Sequence, residues 1–400
     1  MIETLLSREV EEFIRLHESD DPQKLLLKFR NVGGVPIKNV VDQIVGRKKA
    51  KEKFPSLYDN ARIIYPHTVN LEQASSEKTA EFKTAIIKSL NLNDYRLAVD
   101  LTGGFGIDTF LFGKSFEHVF YVEPDVALSQ IVKHNHAQLG QTNISYYETT
   151  AEEFLRKEDS YFDLVYIDPS RRKSDARKVF RFSDCEPDIT KLTNLIFDRS
   201  DNLVIKASPL LDIQQGIKEL KFVKHVYVVS LNNECKELLF VCQKNFNDEA
   251  MIEAVNIEKE QVESFRFHIS NEKILTSVLN EPLTYLYEPN TSILKAGAFK
   301  SIAAGFGLMK LHPNTHLYTS EDMISSFPGK IFKIKTYTKA DQKILKKYLP
   351  EMKANISLRN YPMTVAELKK KANVIEGGEK YLIGFSGMKK KYLVIADRIS

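Results

Sequence analysis

The sequence predicts an α/β chain built on a parallel sheet of seven strands, the last of them antiparallel. A helical region precedes the sheet and two α+β modules follow it. Three observations carry this reading. Between Arg96 and Gln243, seven short runs rich in β-branched and aromatic residues recur. Helix-like segments separate the first six, and such alternation specifies a parallel sheet covered on both faces. The last two runs are joined by "LNNECK", too short for a helical crossover, so they pair antiparallel.

Taken in order, residues 1–80 form the N-terminal helical region. "SREVEEFIRLH" and "KNVVDQIVGRKKAKEKF" place apolar residues three and four apart, and no strand-like alternation occurs before the mid-nineties. Residues 81–245 carry the sheet. Its strands are "RLAVDL", "HVFYVE", "ISYYE", "DLVYID", "NLVIKA", "HVYVVS" and "ELLFVCQ". Its helices are expected at Gly106–Lys114, Val126–Leu139, Ala151–Lys157, Asp188–Phe197 and Ile213–Leu220. Residues 246–325 mix short strands with a helix that ends in the small-residue segment "AGAFKSIAAGFG". Residues 326–400 read strand, helix, strand, helix and two strands.

A chain of 400 residues is too long for one ordinary core. No stretch approaches the ~18 apolar residues of a membrane span. Acids stand near the N-terminus where a secretory signal carries positive charge, which predicts a cytoplasmic protein. Cys185, Cys235 and Cys242 form no CxxC pair and read as reduced, buried thiols. No Cys/His cluster has metal-ligand spacing, and His134 and His136 face different sides of a helix, so no metal is expected. Net charge is +4 overall, yet residues 331–400 hold 16 Lys and Arg against 6 Asp and Glu. That basic module predicts a polyanion partner, nucleic acid being the usual one. A merely solubilising lysine surface is the alternative.

"VDLTGGFGIDTFLFGKS", Val99–Ser115, decides the ligand class. "GKS" imitates the end of a phosphate-binding loop, but Asp108 stands where that loop requires glycine and would repel phosphate. The dinucleotide fingerprint has Thr109 in place of its third glycine, although Glu123 would suit a ribose. A third reading is S-adenosylmethionine, which has a cationic amino-acid end and a sulfonium. Gly104 and Gly106 allow close backbone approach. Asp100, at the tip of the first strand, attracts the ammonium, and Glu123, ending the second, accepts the ribose hydroxyls.

"DLVYIDPSRRK" ends the fourth strand with Asp168, Pro169 and Ser170, beyond the carboxyl end where ligands bind in open α/β sheets. An Asp-Pro-polar turn offers a carboxylate oxygen and a backbone carbonyl to an exocyclic amine, holding its lone pair toward the methyl group. Arg171 and Arg172 would neutralise substrate phosphate, or form a surface ion-pair cluster instead. Upstream, "LEQASSEKTAEFKT" caps a helix near Glu77 with Ser76.

On these motifs, with "YVEPD", "YLYEPNTSILKAG" and "LRNYPMTVAELKKK", the chain from about Val69 onward resembles class I S-adenosylmethionine-dependent methyltransferases. It is most similar to a bacterial group that joins the Rossmann-like domain to a ferredoxin-like piece and a THUMP-like C-terminal domain. The catalytic domain also resembles RNA methyltransferases of the trimethylguanosine-synthase type. The resemblance implies cofactor contacts from Asp100, Thr102, Gly103, Gly104, Gly106, Asp108, Glu123, Pro124, Thr150, Ala151 and Asp168. It implies catalysis at Asp168, Pro169 and Ser170. Gln73, Ser75 and Ser76 would line the pocket. Arg171, Arg172, Lys346, Lys347, Arg359 and Lys369 would contact RNA, either tRNA or rRNA. Two positions depart from the pattern. Ser170 and Arg171 replace a proline and the base-stacking aromatic, and Thr150 replaces an acid that grips adenine. The expected function is methylation of a nucleotide nitrogen in RNA. The alternatives are a small-molecule or protein methyltransferase, and an RNA-binding protein with a vestigial cofactor site.

Overall fold

The computed structural model describes residues 2–90, 92, 94–171 and 181–399, with Arg171 through its backbone alone. The chain forms two compact units, Met1–Lys224 with Phe240–Asn247, and His225–Leu239 with Asp248–Ser400.

The first unit begins with helices. Helix α1 (Arg8–His17), helix α2 (Ile37–Lys53) and the short helix Pro22–Lys28 between them bury Val10, Ile14, Leu25, Val40, Val41 and Ile44 in one cluster. A two-residue hairpin, Asn31–Val32 with Val35–Pro36, interrupts this region. Its strands are too short to show alternation. Gly33 and Gly34, at φ +56° and +78°, supply the left-handed backbone it turns on. Helix α3 (Glu77–Ser89) is capped by Ser76, whose hydroxyl accepts the Thr79 N–H at 3.2 Å.

Seven strands then follow in the order expected. They are β1 (Leu97–Asp100), β2 (His118–Val122), β3 (Ile144–Tyr147), β4 (Leu164–Ile167), β5 (Asn202–Ala207), β6 (Val223–Leu231) and β7 (Glu234–Gln243). Between them lie α4 (Ile107–Gly113), α5 (Val126–Gln138), α6 (Ala151–Lys157), α7 (Ile189–Phe197) and α8 (Ile213–Glu219). In the sheet the order is β3-β2-β1-β4-β5-β7, and β1 pairs parallel with both β2 and β4. After β1 the chain builds outward to β3, then returns to lay β4 on the other side of β1. That reversal opens a crevice beyond the carboxyl ends of β1 and β4.

Between α2 and α3, the segment Ile63–Tyr65 is buried without belonging to a helix or strand. The backbone groups of Ile64 and Tyr65 are satisfied by two side-chain amides. Gln43 exchanges a pair of hydrogen bonds with Tyr65, both at 2.8 Å. Asn135, on α5, does the same for Ile64 at 2.8 and 2.9 Å. The N-terminal helices are thereby fastened to the strand–helix framework.

In the second unit, β6 and β7 form a hairpin through Asn232 and Asn233 at φ +51° and +60°, the backbone of a tight primed turn. Strand β8 (Met251–Glu258) pairs parallel with β6, and β9 (Gln261–His268) pairs antiparallel with β8. A separate seven-stranded sheet contains β10 (Tyr285–Pro289), β11 (Met309–His312), β12 (Thr315–Ser320), β13 (Gly329–Tyr337), β14 (Lys353–Arg359), β15 (Ile375–Ser386) and β16 (Lys391–Arg398). Its order is β11-β12-β10-β13-β16-β15-β14. Helix α9 (Val365–Ala372), with a complete capping box at Thr364 and Glu367, connects β14 to β15, which pair parallel. The helix expected before β11 is two short ones, Thr291–Ala296 and Ser301–Gly305, separated at Gly297, φ +79°.

Asn135→Ala is expected to lower the stability of the first unit by about 1–3 kcal/mol, because it leaves a buried N–H and C=O of Ile64 unpaired. Urea denaturation followed by far-UV circular dichroism checks this.

Candidate active site

The glycine turn after β1 is fixed by its surroundings. Asp100 ends β1 and is buried. Its carboxylate accepts the Thr102 N–H at 3.0 Å and the Thr109 hydroxyl at 2.7 Å. At Gly103 a Cβ would lie 2.1 Å from the Tyr121 ring, so only glycine fits. Gly106 opens α4 at φ +77°, and a Cβ there would meet Val132 at 2.5 Å and His136 at 2.8 Å. The Gly104 N–H donates to Glu123 at 3.0 Å, and its carbonyl accepts the Tyr121 hydroxyl at 2.7 Å. His136 supports the turn through its Nε2–H, which donates to the Gly106 carbonyl at 3.0 Å. Burial pushes this histidine down to about 4, so it is the neutral ring.

Glu123 follows β2. Its second oxygen accepts the Asp125 N–H at 3.0 Å, and burial raises its carboxyl above the ordinary range against those two hydrogen bonds. Pro124 is exposed beside it. Thr150 caps α6 by accepting the Glu153 N–H at 3.2 Å, and Ala151 is the buried first residue of that helix.

Asp168 follows β4, and its N–H donates to the Thr102 hydroxyl at 2.6 Å. This bond joins the glycine turn directly to the Asp-Pro turn. Pro169 is buried and Ser170 exposed; Ser170 and Arg171 pair antiparallel with Glu186 and Cys185. Arg172 lies outside the described residues, as does the side chain of Arg171.

Two lysines missing from the sequence reading complete the site. Lys206, on β5, donates to Asp168 Oδ2 at 2.5 Å. Lys83, on α3, has no exposed side-chain surface; it pairs with Asp108 at 3.1 Å and donates to the Ser75 hydroxyl at 2.9 Å. Asp108 also accepts the Ser75 hydroxyl at 2.7 Å and the Tyr166 hydroxyl at 3.0 Å. Burial alone would raise the Asp108 carboxyl. Lys83, Lys206 and the Ser75 hydroxyl together carry it below its usual value. Asp108 thus spends its charge inside the protein, where the sequence reading gave it to a ligand.

Asp100 has the opposite environment. Burial raises its carboxyl to about 7, the Thr109 hydroxyl opposes this, and the negative charges of Asp108 and Asp168 add to it. No ammonium or guanidinium contacts it among the described residues. A buried carboxylate held only by neutral donors is a ready partner for a cationic ligand.

The structure therefore gathers Asp100, Thr102, Gly103, Gly104, Gly106, Asp108, Glu123 and Asp168 at the carboxyl ends of β1, β2 and β4. Ser75 joins them through Asp108. Ser76 is occupied as the cap of α3, and Gln73 is exposed at the end of a short helix, Thr68–Gln73. Among the basic candidates of the second unit, Arg359 pairs with Glu288, and Lys369 pairs with Glu376 at 2.6 Å. Lys346 and Lys347 are exposed and form no ion pair among the described residues. No group of three or more His, Cys, Asp or Glu among the described residues is arranged to hold a metal. No helix among them is long and apolar enough to cross a membrane.

Across nearly its whole length the chain matches a solved structure from Porphyromonas gingivalis W83, provisionally named a methyltransferase. The identity is 29%, the match covers 98% of each chain, and the TM-score is 0.86. Its fold is methyltransferase-like. Residues 285–328 match the family of ferredoxin-like domains, and residues 329–398 match the THUMP domain-like family. An rRNA methylase from Streptococcus thermophilus aligns over 41% of this chain and 96% of its own, at 15% identity and a TM-score of 0.31. A protein from Streptococcus mutans, also provisionally named a methyltransferase and solved in complex with SAH, aligns over 40% and 94%, at 14% identity and a TM-score of 0.29. No curated protein matches the sequence.

Asp108→Ala strands the buried Lys83 ammonium and is expected to cost about 3–5 kcal/mol of stability. Denaturant unfolding checks this. A variant that keeps wild-type stability would return Asp108 to the role of ligand contact.

Proposed function

We propose that the chain transfers a methyl group from S-adenosylmethionine to a nucleotide in RNA, with the THUMP-like domain binding the RNA. The observation that carries this is the pairing of a cation-seeking Asp100 with a Glu123 clamped beside the glycine turn. Asp100 attracts the ammonium of the cofactor's amino-acid end. Gly104 and Gly106 give its backbone close approach, and Glu123 accepts the ribose hydroxyls. Bound there, the cofactor supplies an electrophilic methyl group. Asp168, tied to the turn by Thr102, faces the acceptor.

RNA as substrate is supported by the THUMP-like match over 329–398 and by the net charge of +10 in residues 331–400, from 16 basic and 6 acidic side chains. The phosphate contacts are assigned first to Lys346 and Lys347, which form no ion pair among the described residues. Arg359 and Lys369 can contribute by exchanging their carboxylate partners for phosphate. Arg171 and Arg172 remain candidates for the phosphate nearest the reacting nucleotide.

Affinity for S-adenosylmethionine is expected to fall as pH drops through about 7, because a protonated Asp100 no longer attracts the ammonium. The decline should approach tenfold per pH unit, and calorimetric titration at stepped pH reads it. Asp100→Asn should flatten the profile. Affinity with no pH dependence in this range would remove Asp100 from the site.

The substrate is tested by cofactor-dependent tritium transfer to RNA, DNA, protein and small-molecule pools. Label should enter RNA alone. Full-length chain should bind that RNA with a log–log salt slope that shrinks by about 0.7–0.9 for each of Lys346→Ala and Lys347→Ala. Label in protein or small molecules instead would replace the RNA reading.

A further inference from the structure

Lys206 changes what Asp168 can do. Its ammonium is 2.5 Å from Asp168 Oδ2, with the two side chains 12% and 30% exposed. It also acts on the adjacent Asp108, as Lys83 does. The carboxylate that faces the acceptor is therefore half of an ion pair, with Oδ2 engaged and Oδ1 meeting no donor among the described residues.

That charge discriminates between acceptor atoms. An exocyclic amine attacking a methyl group becomes more positive at nitrogen. It needs two free acceptors for its hydrogens, and usually a ring on which its base can stack. Here an ammonium competes for one acceptor oxygen and opposes the growing charge. The position of the base-stacking aromatic is held by Arg171, which offers no aromatic ring. A hydroxyl has the opposite requirement. It is a poor nucleophile until its proton begins to leave, and its oxygen then gains negative character. A carboxylate oxygen that takes the proton, beside a fixed ammonium that stabilises the oxygen, meets that requirement.

We infer that the acceptor is a ribose 2′-hydroxyl, with Asp168 and Lys206 as its catalytic pair, in place of the base nitrogen suggested by the Asp-Pro turn. The inference rests on the RNA reading above. Internal nucleotides of unmodified RNA offer the 2′-hydroxyl as their aliphatic hydroxyl. In the step, the 2′-oxygen forms a bond to the methyl carbon while the carbon–sulfur bond breaks. The bonding pair goes to sulfur, leaving neutral S-adenosylhomocysteine. The hydroxyl proton passes to Asp168 Oδ1 and from there to water.

The test uses full-length protein, total bacterial RNA and methyl-tritiated S-adenosylmethionine, followed by alkaline hydrolysis. A 2′-O-methyl group blocks cleavage of the next phosphodiester, so label should appear in alkali-resistant dinucleotides. A methylated base would yield labelled mononucleotides. Lys206→Met should lower the rate by about 100-fold or more, with Lys206→Arg recovering part of it. Calorimetric affinity of Lys206→Met for the cofactor should stay within about threefold of wild type, because its cofactor contacts lie elsewhere. Label in mononucleotides overturns the inference and leaves RNA methylation standing. Label absent from RNA overturns both. A Lys206→Met variant with full activity removes Lys206 from the pair. The alkaline readout needs no variant, so a Lys206→Met protein that fails to fold does not prevent the test.

Discussion

The site depends on one buried cation. Lys83 has no exposed side-chain surface, so its ammonium must be satisfied wholly by the protein, and Asp108 and Ser75 do this. Tyr166 completes the set from β4 through Asp108. Three pieces of chain are locked by the arrangement: helix α3, the first turn of α4, and the strand that ends in Asp168. It adds a polar tie to the apolar packing of Leu71 and Ala80 against Phe105, Ile107 and Leu111.

The same pairing divides two aspartates eight positions apart. Asp108 takes the internal cation and is held in its charged form. Asp100 receives only hydroxyl and amide donors and has Asp108 and Asp168 for neighbours, so its carboxyl rises to about 7. Two like groups are driven apart by environment, one lowered beside an internal cation and one raised by burial. Lys206 makes a third distinction, converting Asp168 from a simple hydrogen-bond acceptor into half of an ion pair. The strand order puts all three together, because β1 and β4 adjoin at the reversal of the sheet.

Much of this was legible in the sequence. The seven strands and five helices lie where β-branched runs and apolar spacing put them, because those patterns reflect burial on two faces of a parallel sheet. Asp100, Glu123 and Asp168 were legible as acids that end apolar runs. The two lysines were not. Lys83 and Lys206 interrupt apolar segments, "EFKTAII" and "NLVIKA", but a lysine in such a segment ordinarily reaches solvent along its own stem. Acids brought near by tertiary packing, Asp108 and Asp168, help to keep these two inside. The internal partner of Asp108 was hidden for the same reason, since it comes from a helix 25 positions upstream. The Gly33–Gly34 hairpin was too short for periodicity to reveal, although its glycine pair was a usable signal. The expected phosphate contacts at Arg171 and Arg172 fall where the side chains are not described.

The central claim is that the carboxyl ends of β1, β2 and β4 form one pocket for a cationic methyl donor and its acceptor. A crystal structure of the full chain with S-adenosylhomocysteine tests it most directly. The account predicts the ribose hydroxyls on Glu123, the ammonium at or one water from Asp100, and the sulfur on the side of Asp168 and Lys206. A ligand bound elsewhere, or one that leaves both Asp100 and Glu123 without contact, would contradict it.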